Sequence, residues 1–113
     1  MANDIKTKQL VMWINEISRE FYDLRNELSS YDEQMTVLME QESVIISLLD
    51  DHSVFTDDPQ LIFDRNKIIN DVVYAVRSSV NALSDTTVKA EVGIRLDSLQ
   101  AHLYAYFDVV DNQ

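Results

Sequence analysis

Cysteine is absent from this chain of 113 residues, and glycine and proline occur once each, as Gly93 and Pro59. Without cysteine there is no disulfide framework, no thiolate metal ligand and no thiol nucleophile. One glycine and one proline are too few for the tight turns of a sheet protein or an alternating α/β fold, which depend on positive φ and on proline's pre-set geometry. The expected fold class is therefore all-α. Long hydrophobic runs are missing too. The apolar stretch from Leu10 to Ile14 is cut by Asn15 and Glu16, so it is too short for a signal core and far below a membrane span. A soluble cytoplasmic protein with no membrane partner is the expectation.

Basic charge is also scarce. Nine Lys and Arg stand against twenty Asp and Glu, a formal net charge of −11 that repels nucleic acid, so direct binding to DNA or RNA is not expected. Between Arg25 and Arg65 there is no Lys or Arg, yet the interval holds Glu27, Asp32, Glu33, Glu40, Glu42, Asp50, Asp51, Asp57, Asp58 and Asp64. The middle third of the chain is an acidic pole.

What the chain has in abundance is periodicity. Leu10, Ile14, Ile17, Phe21, Leu24, Leu28, Tyr31, Met35, Leu38, Glu42, Ile45 and Leu49 follow one another at alternating steps of four and three. Such a rhythm lays one apolar seam along a helix and turns it toward other helices. At this length, with 46% hydrophobic residues, one helical domain spanning 1–113 is expected to bury a core of its own.

Breaks in the pattern divide the chain. Asp4 is a usable first cap, and Ser30 with Glu33 reads as a capping box, so the first block is expected to break near Ser29 and Ser30. An uninterrupted helix over the same block would be about 70 Å long at 1.5 Å per residue. Residues 50–58 form the clear loop, with Asp57 or Asp58 as cap and Pro59 in the first turn of the next helix. That helix carries Ile62, Ile69, Val73, Val76, Val80 and Leu83. The later series Val92, Leu96, Leu99, Leu103, Tyr106 and Val110 is out of phase with it, which predicts a bend between Ser84 and Thr87 capped by Asp85, Thr86 or Thr87. The preferred arrangement is an antiparallel up-and-down bundle of four helices over 4–28, 31–50, 59–83 and 87–110. A three-helix bundle with one long N-terminal helix is the alternative.

Candidate chemistry is thin. Glu16, Glu20, Asp23 and Glu27 share one face of the first helix. Inward Glu-x-x-His pairs of the kind that build bundle di-metal sites are missing, so the stripe reads as solvated, with Arg19 and Arg25 placed to pair along the same helix. Its continuation, Val37, Val44 and Leu48, is apolar. His52 and His102 share no spacing that joins them into a metal site or a triad, and no catalytic residue, cofactor or metal is expected. Glu42 is the one charged residue in the seam and is expected to reach solvent. Trp13 reads as core. Met12, Tyr22, Phe63, Tyr74 and Tyr104 lie off the seams and are the apolar candidates for partner contact.

These features point to a non-enzymatic protein that binds another protein. The first expectation is an inhibitor or regulator presenting a nucleic-acid-like carboxylate array, namely Glu16, Glu20, Asp23, Glu27, Asp32, Glu33, Glu40, Asp50, Asp51, Asp57 and Asp58, to the basic surface of a partner. The alternative is a chaperone or assembly factor whose apolar stripe accepts an amphipathic client helix. A small helical enzyme is the third class, and a homodimer is compatible with each.

Overall fold

The structure, a computed structural model, describes residues 2–52 and 55–112. It contains four helices, α1 (Ala2–Glu27), α2 (Asp32–Asp51), α3 (Pro59–Val80) and α4 (Thr86–Asp111), and no strand among the described residues. The first block does break at Ser29 and Ser30. A tight turn, in which the Tyr31 N–H donates to the Leu28 carbonyl at 3.0 Å, reverses the chain. Leu28 and Leu38 are buried on either side of it, so the seam keeps its phase through a turn and not through a continuous helix.

Local chemistry sets the remaining boundaries. The Ser30 capping box does not form: the residue capping α2 is Tyr31, without a side-chain bond, and Asp32 and Glu33 supply the negative charge that favours a helix start. α1 begins at Ala2, upstream of the expected Asp4 cap. Asp50 and Asp51 belong to the last turn of α2 and not to the loop. Asp58 caps α3 by accepting from the Gln60 N–H at 2.9 Å, with Pro59 where its missing N–H is harmless. Asp85 caps α4, accepting from Thr87 and Val88 at 3.0 and 3.1 Å. The predicted change of phase is thus a real corner, and α3 stops at Val80, three residues short of the expected end.

Side-chain pairs give the directions. Arg95 with Asp23 and Trp13 with His102 run α1 and α4 antiparallel. Arg65 with Asp111 and Arg77 with Asp97 do the same for α3 and α4. Gln34 donates to the Ser79 carbonyl at one end of the α2–α3 contact, while Leu48 and Ile68 share a groove at the other. The bundle is therefore up-down-up-down. The start of α1, the α2–α3 loop and the end of α4 share one end, where the Lys6 ammonium reaches the Asn112 carbonyl. At the opposite end the Tyr31 hydroxyl donates to Asp85.

The core runs the length of the bundle through Phe21, Leu24, Ile45, Val76, Leu99 and Phe107. Contact is uneven: α1 packs mainly on α4 and α2 mainly on α3, whereas the consecutive α1 and α2 touch least. The molecule is consequently flattened, 49 × 28 × 19 Å.

Candidate functional site

A concave surface lies between α2 and α3, at the end of the bundle where α1 begins and α4 ends. It is a groove of about 350 Å³ lined by Ser43, Val44, Ser47, Leu48, Asp51, His52 and Ile68. The helical period makes it: Val44, Ser47, Leu48 and Asp51 recur at steps of three, one and three, so a single face of α2 presents an apolar floor and an acidic lip. Leu48 is buried and belongs to the core, while Val44 is 40% exposed. His52 closes α2 by donating its backbone N–H to the Leu48 carbonyl, and it is one of the groove's lining residues. Phe55 and Leu61, near the same end, are also exposed apolar residues.

The eleven carboxylates expected to form one partner-facing array fall into two groups. Asp32, Glu33, Glu40, Asp50, Asp51, Asp57 and Asp58 are exposed. Glu16, Glu20, Asp23 and Glu27 are not a solvated face, because they line the seam between α1 and α4. Arg95 of α4 reaches across, bonding Asp23 at 2.9 Å and approaching Glu27 to 4.0 Å. The arginines of α1 do not pair within their helix as expected, either: Arg25 contacts both oxygens of Glu42 on α2, at 2.6 and 2.7 Å. Glu42 is thus half-buried and paired instead of reaching free solvent.

Glu16 and Glu20 meet His102. One donor atom from each lies within 4.8 Å of the others, and the Trp13 ring stacks obliquely on the imidazole, with centroids 5.3 Å apart and planes at 37°. Trp13 is accordingly half-buried against α4. Glu20 keeps some exposure as a residue, but its Oε2 is fully enclosed, as is His102 Nδ1, and neither atom has a hydrogen-bond partner. Burial pushes the Glu20 carboxyl above its usual range; the charges of His102 and Arg95 oppose the shift, and those of Asp23 and Glu16 add to it.

Of the apolar contact candidates, Met12, Tyr22, Phe63 and Tyr74 are exposed as expected, whereas Tyr104 is half-buried and its hydroxyl donates to Asn70. Sequence reasoning missed two arginines, Arg65 and Arg95, and the meeting of His102 with the α1 acids. The available signal was the antiparallel register of α1 and α4, which sets residue 20 opposite the stretch near residue 100. No helix of the described residues is long and apolar enough to cross a membrane. Compared with protein-family models, with curated proteins and with solved structures, this chain matches none.

Proposed function

We propose that this is a non-enzymatic protein-binding factor that receives an amphipathic, basic helix of a partner protein in the α2–α3 groove, in the manner of a chaperone or assembly factor. The observation that carries this reading is the pairing of an apolar floor, Val44, Leu48 and Ile68, with the carboxylate of Asp51 on its lip and with exposed Asp50, Asp57 and Asp58 on the adjoining turn and loop. An apolar stripe supplies affinity through buried area, and the acids steer a basic segment toward it and set its orientation. A cytoplasmic setting is part of the same proposal.

The carboxylate-mimic reading stands second. Seven exposed acids favour it, but four of the eleven are turned to the α1–α4 seam, and the rest are spread along α2, about 30 Å long at 1.5 Å per residue, and into the loop that follows it. Partner capture from the native host separates the two. A partner that stays bound at about 0.5 M salt and is lost with Val44→Arg supports the groove, since such salt screens exposed charges beyond a few ångströms. A partner lost in salt and on reversing Asp50, Asp51, Asp57 and Asp58 to Lys, yet retained by Val44→Arg, supports the mimic and removes the groove. A partner insensitive to all three changes rejects both.

A further inference from the structure

The cluster at the α1–α4 seam has a chemistry that protein binding does not use. Glu16 and Glu20 lie one helical turn apart, so their carboxylates project from the same face of α1, and the antiparallel α4 brings His102 against them. The three donor atoms come within 4.8 Å of one another. Independently of that spacing, an enclosed carboxylate oxygen of Glu20 and an enclosed imidazole nitrogen of His102 are left without hydrogen-bond partners. Buried polar atoms are nearly always paired, and two orphans of complementary ligand type in one cluster are what a metal ion satisfies.

We propose that Glu16, Glu20 and His102 form a binding site for a divalent transition-metal ion of the zinc type. The donor set selects the ion. Magnesium and calcium take oxygen ligands, whereas an imidazole beside two carboxylates suits zinc and its first-row neighbours. Ligand bonds of about 2.0–2.2 Å bring donor atoms to roughly 3–3.5 Å of one another, which small rotations of the two flexible glutamates achieve from the observed spacing. Two carboxylates balance the charge of the ion. The nearby cation, Arg95, is already held by Asp23 at 2.9 Å. Trp13 covers the face of the imidazole and orients it, the service that outer-shell groups perform for a metal-bound histidine. Three protein ligands leave one position of a tetrahedron open to water or to a side chain from a partner, and the bound ion ties α1 to α4.

Zinc chloride titrated into the chelator-treated full chain, followed by calorimetry, tests this directly. One ion per chain is expected. Affinity should fall by about tenfold or more in His102→Gln and in Glu20→Gln, since even outer partners of a metal ligand are worth that much. Cobalt(II) gives a second readout, with the visible absorption of a four- or five-coordinate ion appearing in the wild type and lost in His102→Gln. Glu16→Gln repeats the test should either of those variants fail to fold. The proposal is overturned if no stoichiometric zinc binding occurs, or if binding persists undiminished in folded His102→Gln or Glu16→Gln.

Discussion

Arg65 is 3% exposed, a cation inside a helical core, and its surroundings explain how that is tolerated. Its guanidinium lies 4.3 Å over the Phe107 ring and grips both oxygens of Asp111, at 3.2 and 2.6 Å. Removing one member of such a pair strands the other, so Asp111→Ala is expected to lower stability by about 3 kcal/mol in denaturant unfolding. Arg65→Met, which removes the charge and keeps apolar volume, should cost far less in the Asp111→Ala background than in the wild type. Equal costs in the two backgrounds would show that the pair is not coupled. Tyr106 makes a pH prediction at the same end of the bundle. Burial first, and then the charge of Asp50, raise its phenol above the ordinary value of 10.0. A raised folded-state value means that this contribution to stability is complete below about pH 10, the unfolded value, and is lost as pH climbs from there through the folded value. Tyr106→Phe should therefore flatten the alkaline fall of stability, and an unaltered slope above pH 10 would assign the fall to other groups.

α2 carries the clearest tension between a helix and its charges. Its last turn holds Asp50 and Asp51 and no basic residue, although a helix C-terminus attracts cations. Replacing the exposed Asp51 with Lys should relieve that conflict and raise stability by up to about 0.5 kcal/mol. The same change should weaken a basic partner in the groove that Asp51 edges. Stability and binding moving in opposite directions would mark the acid as kept for recognition, whereas a rise in both would make it an accident of composition. α3 shows the opposite case: Val72, Val73, Val76 and Val80 are poor helix formers, and burial holds them in a helix all the same.

At the scale of the whole molecule, the bundle is two helix pairs, α1 with α4 and α2 with α3, joined through α3 and α4. Its radius of gyration, 14.9 Å, exceeds the roughly 13 Å of a compact chain of this length. The Arg25–Glu42 bridge spans the open side between α1 and α2, but its side chains are 36% and 23% exposed. Arg25→Ala should accordingly cost less than about 1 kcal/mol in thermal or denaturant unfolding. A loss of several kcal/mol would mean that the α1–α2 seam, and not the two tight pairs, holds the molecule together.

The residues that run Leu10 to Leu49, the cap at Asp57 or Asp58 with Pro59, and the change of phase before Val92 were enough to place an antiparallel helical bundle and to favour four helices over three, because helical period, proline geometry and capping act within a few residues of chain. They did not say which neighbour each flank meets. Glu20 at the edge of a seam has the same sequence signature whether it faces water or another helix, and only the register of α1 against α4 put Arg95 beside Asp23 and His102 beside Glu16 and Glu20. Burial is legible from periodicity along one helix. The pairing of charges across helices depends on distances between residues some seventy or eighty positions apart, which the packed core alone sets.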